Sequence, residues 1–185
     1  MIQSLSLPRT FVSFSSADKR RYDLMCAWKA HKHIDFNFAD FQLDEAINSQ
    51  NPYYIKNVCA AKIRRVDTFV LLIGADTYTK TVFVKHEVEA AVEKGCRLIG
   101  VNLNNSKLKD ELCPGYFSNL GALFVPYSSR IRDKALSWQR EGNSPWYHFT
   151  DDAYTELGYH LIGNTAVLPP PLNPFLGGNK PTWSR

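Results

Sequence analysis

A doubly wound, flavodoxin-like parallel sheet of about five strands flanked by helices is the fold class that this sequence predicts. Two observations carry it. Short β-type runs alternate with helix-length segments from residue 10 to residue 126, and the run TFVLLIG at Thr68–Gly74 is apolar almost throughout. Alternation demands parallel pairing, because each crossover helix returns the chain to the same edge of the sheet. An unbroken apolar strand belongs at a sheet's centre, covered on both faces.

The first unit opens with TFVSF, Thr10–Phe14, as a strand. Ser15, Ser16, Ala17 and Asp18 follow, with Ser16 read as the helix cap and Asp18 suited to the positive helix end. The helix is expected from Asp18 to His31, burying Tyr22, Met25, Cys26 and the stem of Lys29. IDFNF, Ile34–Phe38, alternates as a second strand does, and Asp40–Pro52 is polar and rich in breakers, hence a long loop. A helix over Tyr53–Arg65 leads into the central strand.

Beyond it, Val82–Lys94 has helical length and stops at Gly95, which suits the left-handed turn after a helix. RLIGVNL at Arg97–Leu103 and ALFVP at Ala122–Pro126 are the fourth and fifth strands. After residue 127 the pattern weakens, leaving helices around Arg132–Gln139 and Asp152–Ile162. One domain over residues 1–165, with its core at 9–126, is therefore expected, followed by a tail at 166–185. Half of the ten prolines lie after Val167, so the tail should be extended, with Leu172, Phe175, Leu176 and Trp183 as apolar anchors.

Composition narrows the function classes. With 44% apolar and 22% charged residues the chain has enough to bury and too little charge for disorder. A net charge of +4, with basic clusters on helix faces and no aromatic-interleaved basic stripe, argues against nucleic-acid binding. No apolar run reaches about 18 residues and the opening MIQSLSLPRT is not a secretory leader, so no membrane association and a cytoplasmic location are expected. Cys26, Cys59, Cys96 and Cys113 stand singly, as reduced and mostly buried thiols. His31 and His33 alternate but lack a third ligand nearby, so no metal is expected.

In sheets of this kind ligands bind beyond the carboxyl ends of the strands, where connections diverge to opposite faces. That points to Phe14–Asp18, Phe38–Asp44 and Ala75–Glu87. On a helical wheel of about 100° per residue, Lys85, His86, Glu89 and Glu93 share a polar arc, with Val84, Val88, Ala91 and Val92 opposite. Glu87 falls at the edge of the apolar arc, between Phe83 and Ala91, and is the one charge that the pattern leaves unexplained. It either reaches solvent or pairs with Lys94, or it serves a ligand. A phosphoacceptor site of the response-regulator type is disfavoured, since Ser15 and Ser16 stand where paired acids are needed and Gly74 ends the third strand.

The stretch VLLIGADTYTKTVFVKHEVEAAVEKGCRLIGVNL resembles the third strand, following helix and fourth strand of TIR domains, with Phe83-Val84-Lys85-His86-Glu87 in the place of their aromatic-Val-x-x-Glu segment. RTFVSFSSADKR resembles the first strand and turn. From Arg9 to about Pro126 the chain is most similar to the TIR-like proteins of bacterial Thoeris antiphage systems. The resemblance implies a TIR-like NAD-processing enzyme that cleaves the nicotinamide–ribose bond, without metal or added cofactor, to give an ADP-ribose-derived signalling nucleotide. It implies Glu87 as the catalytic carboxylate, self-association, and a separate effector protein that senses the product. Phe83 stands where many TIR enzymes have tryptophan.

Around Glu87, Ser15 and Ser16 are candidate donors to a pyrophosphate or plain helix caps. Phe14 and Phe83 are candidate stacking surfaces for nicotinamide or adenine, or core aromatics. Asp40 is a candidate ribose ligand or the start of the loop. The competing readings are a non-catalytic TIR-like interaction module and, more distantly, a nucleoside-deoxyribosyltransferase-like enzyme.

Overall fold

The computed structural model describes residues 9–30, 39–40, 51–80, 82–159, 161–162 and 165–166. The expected strand at Ile34–Phe38, His31 and His33, most of the polar loop, the side chain of Asp40 and the tail from Val167 onward lie outside the described residues.

Six parallel strands form the sheet in the order β2-β1-β3-β4-β5-β6: β1 Arg9–Ser13, β2 Ala39–Asp40, β3 Thr68–Ile73, β4 Arg97–Asn102, β5 Ala122–Pro126 and β6 Trp146–His148. Pairing is in parallel register throughout, with Ser13 beside Leu71 and Ile73 beside Asn102. The first five have the flavodoxin-like order that the alternation of strands and helices predicts. β3 is buried at every position, as its apolar run requires. The helices are α1 Lys19–Ala30, α2 Pro52–Ile63, α3 Phe83–Lys94, α4 Ser129–Ser137 and α5 Asp151–Glu156. None of the described helices is long and apolar enough to cross a membrane.

Strand alternation divides the core in two. Val12, Val70, Leu72, Ile99, Val101, Leu123 and Val125 face one side with Met25 of α1 and Ile131 and Ala135 of α4. Phe11, Phe69, Leu71, Ile73, Leu98 and Phe124 face the other, with Ile63 of α2, Val84, Val88 and Ala91 of α3, and Phe117 from the long loop after β4. Each of the Val, Leu, Ile, Phe and Met side chains among them contributes about 1.5–3 kcal/mol when fully buried. The second layer is tightest at Gly100, where a β-carbon would lie 2.8 Å from the fully buried Phe124 ring and 3.1 Å from Ile73. Gly100→Ala is therefore expected to lower stability by about 1–2 kcal/mol in urea unfolding, overpacking outweighing the entropic gain of losing a glycine. A variant as stable as the parent would mean that the ring can step aside.

Three expectations need correcting. A sixth strand, β6, extends the sheet; it has three residues, half-buried to exposed, and so shows no alternation to read. The helix expected over Asp152–Ile162 ends at Glu156, because Gly158 takes a positive φ of 68° and Leu161–Ile162 instead pairs antiparallel with Thr165–Ala166. At the first turn Ser15, not Ser16, is the cap: its hydroxyl accepts from the Ala17 amide and a short 3-10 turn, Ser16–Asp18, precedes α1. Gly95 does close α3 with φ 77°, as its position predicts.

Candidate active site at the carboxyl edge of the sheet

Because β2 lies on one side of β1 and β3 on the other, the connections diverge at the carboxyl ends of β1 and β3. Residues ending those strands, and the first turns of the helices that follow, border this crevice.

β1 sends Val12 and Phe14 toward α1, and Phe11 and Ser13 toward α2 and α3. Ser13 is thus a hydroxyl at a core position, 1% exposed. Opposite it, α3 buries Val84, Glu87, Val88 and Ala91, spaced i, i+3, i+4 and i+7 as a helix spaces its core face. Glu87, 9% exposed, occupies one of those places. The Ser13 hydroxyl donates to Glu87 Oε2 at 2.6 Å, a short, charge-assisted geometry when the acid is ionised. Lys94 does not meet Glu87; it reaches the Val66 carbonyl and Asp67 instead. On the polar arc Glu89 lies 3.9 Å from the Lys85 ammonium and 3.1 Å from His86 Nδ1, so these groups pair with one another and not with Glu87. Val92, expected on the apolar arc, is 45% exposed, and Ala90 is buried in its stead.

Burial pushes the Glu87 carboxyl from an ordinary 4.5 up to about 7, against the downward pull of the Ser13 hydrogen bond. Its neighbours register the charge. Burial, then Glu87, pushes the Cys59 thiol of α2 up to about 12, and burial, Cys113 and Glu87 do the same to the Tyr116 hydroxyl. Ser13, Cys59 and Tyr116 therefore surround the carboxylate with groups that stay neutral at physiological pH.

A second polar group ties the two strand ends together. The buried Ser15 hydroxyl donates to Asp76 Oδ2 at 2.8 Å, and Lys80 sits 3.1 Å from the same oxygen. Although partial burial works the other way, these contacts hold the Asp76 carboxyl below its usual range. Asp18 lies against Gly74, where any β-carbon would overlap its carboxylate, and burial followed by the charge of Asp76 raises its pKa. A side chain at Gly74 would therefore require the Asp18 carboxylate to move.

The sequence-predicted residues are divided by this geometry. Glu87 is in the crevice and Phe83, 42% exposed, is one helical turn above it at the start of α3. Ser15 is committed to Asp76, and Ser16 is exposed in the turn. Phe14 lies on the α1 side of the sheet, stacked on Tyr22 with ring centroids 4.7 Å apart. Ser13 was not singled out by sequence, although the alternation of TFVSF places it on the same face as Phe11. Tyr116 and Cys59 carried no such signal. Among the described residues, no group of three or more His, Cys, Asp or Glu side chains is arranged to hold a metal ion.

Comparison with known proteins adds the family. No curated protein matches the chain. The family model for the TIR-like domain of the Thoeris protein ThsB matches residues 11–108, more than half of the 185, from β1 through β4 and including both Ser13 and Glu87. The chain therefore belongs to the TIR-like domain family of ThsB, the Thoeris antiphage defence protein.

Proposed function

We propose that the protein cleaves the nicotinamide–ribose bond of NAD, with Glu87 as the catalytic carboxylate, and releases an ADP-ribose-derived nucleotide, linear or cyclic, as a defence signal. The observation that carries this reading is the buried Ser13–Glu87 pair at the topological switch point. A carboxylate fixed there suits a reaction in which the C–N bond breaks with its electron pair leaving on nicotinamide, and the ribose becomes an oxocarbenium ion. Ionised Glu87 stabilises that cation and accepts hydrogen bonds from ribose hydroxyls. Water, or a nucleophile of the same nucleotide, then attacks the ribose carbon. Phe83 offers a ring to nicotinamide or adenine, Ser15 and Ser16 in the turn after β1 and Asp40 at the end of β2 would hold the rest of the substrate, and a separate effector would read the product.

Incubating the purified protein with NAD and following free nicotinamide tests the reading directly. No release from the protein alone, nor in an extract of phage-infected cells expressing it, would overturn it. The same assay carries a pH prediction. Because the working form of Glu87 is ionised, release should rise with pH through about 7. Ser13→Ala removes the one hydrogen bond that lowers the Glu87 pKa. The rise should move to higher pH and the rate at pH 7 should fall about tenfold. An unmoved profile would detach Ser13 from the chemistry.

A second reading has an observation of its own. Tyr53 and Tyr54 on the first turn of α2, Tyr78, Val82 and Phe83 are all more than 40% exposed at the carboxyl edge. A non-catalytic module that self-associates through this edge would use such a surface, and it would release no nicotinamide.

A further inference from the structure

The reading of Glu87 as the working carboxylate leaves open what holds the start of α3 in place. Val82, at the cap position, makes no side-chain hydrogen bond to the first turn, and both Val82 and Phe83 are exposed. Among the described residues, no side chain at the cap position anchors the free amides of the helix that presents Glu87. Immediately upstream, Thr77–Thr79 forms a 3-10 turn that ends at Lys80.

That turn is gripped from the far side by the loop after β4. The Tyr116 hydroxyl donates to the Lys80 carbonyl at 2.8 Å, with the Thr77 carbonyl a longer second acceptor at 3.4 Å. The loop is itself well fixed. Asn102 donates to the Ser106 and Leu108 carbonyls, and Phe117, next to Tyr116, is fully buried between Phe69 and Phe124. Tyr116 is therefore half-buried against the core beside the fixed Phe117, with its hydroxyl on the segment leading into α3. After burial and Cys113, the charge of Glu87 also helps push the Tyr116 hydroxyl up to about 12.

We propose that Tyr116 is a positioning residue for Glu87: its hydroxyl, by holding the carbonyls of the Thr77–Lys80 turn, anchors the segment that leads into α3 and so fixes the height and orientation of the helix's first turns. This rests on the role of Glu87 given above. It assigns a part in the site to Tyr116, which lies beyond the span matched by the family model.

Tyr116→Phe is the test, since it keeps the ring in the core and removes only the clamp. Amide exchange across Val82–Glu87 is expected to quicken about tenfold, while β3 and α1 exchange as before. The titration midpoint of Glu87, followed by its carboxyl carbon resonance, should fall by at least about half a pH unit as water reaches the loosened turn. Nicotinamide release should drop about tenfold, in kcat rather than KM. Tyr147→Phe is the control, for its oxygen accepts one hydrogen bond from the Ser144 amide far from the site. Both variants should lower the melting temperature by a few degrees, about 2–4 °C, and Tyr147→Phe should change none of the other readings. Unchanged exchange at Val82–Glu87, or faster exchange with an unmoved Glu87 midpoint, would overturn the proposal. These two arms need no turnover, so a wild-type protein that releases no nicotinamide would overturn the proposed function while Tyr116 is still decided.

Discussion

Glu87→Gln is expected to cut nicotinamide release from NAD by about a thousandfold and leave the fold in place. Glutamine has nearly the volume of glutamate, and its amide oxygen can still accept from the Ser13 hydroxyl, so the geometry at 2.6 Å is preserved. What disappears is the negative charge. Ser13, Cys59 and Tyr116, which interact with it, are neutral, so none of the three can take its place beside a developing oxocarbenium ion. Loss of one preorganised electrostatic partner costs about 10²–10³ in rate, and loss of a group that also positions hydroxyls for attack carries the effect to the upper end. The measurement is release by wild type and variant at pH 8, where wild-type Glu87 is ionised. A variant within fivefold of wild type would end the catalytic assignment of Glu87.

Much of this site was readable because Glu87 breaks a pattern. On a 3.6-residue period it falls at the edge of the apolar arc, between Phe83 and Ala91, and the structure turns it inward, buried with Val84, Val88 and Ala91. β3 was equally plain, since a strand without polar positions has no solvent face to occupy. The partner was harder to see. Ser13 is one of three serines in a row of four residues, Ser13, Ser15 and Ser16 flanking Phe14, and only the phase of β1 against α3 tells which hydroxyl meets the acid. The phase also separates Phe14 from Phe83, two aromatics that look equivalent in sequence but lie on different sides of the sheet. Tyr116 depends on a contact between segments 36 residues apart, within a loop that has no periodicity at all. Local pattern cannot encode such a pairing. β6 and the early end of α5 failed for a different reason: a three-residue strand and a single positive-φ glycine act below the length over which period can be measured.

Glu87→Gln should also make the folded protein more stable, and by an amount that depends on pH. In the unfolded chain the carboxyl titrates at its ordinary 4.5; in the fold burial raises it to about 7. A raised acid binds its proton more tightly in the folded state, so its contribution is fully present below pH 4.5 and is lost as pH climbs through about 7. The interval between those two values corresponds to about 3 kcal/mol. Glutamine has no such proton to lose, and it keeps the acceptor for Ser13. The variant should therefore match wild type at pH 4 and exceed it by about 3 kcal/mol at pH 8, or roughly 6–12 °C in melting temperature for a chain of this size. Because every other titrating group is shared, the difference between the two unfolding curves isolates Glu87. The gap should open between pH 4.5 and 7 and stay level above it. A constant difference at all pH values would mean that Glu87 is as well solvated in the fold as in the unfolded chain, and that the cost of holding a buried carboxylate at the carboxyl edge of the sheet is not being borne.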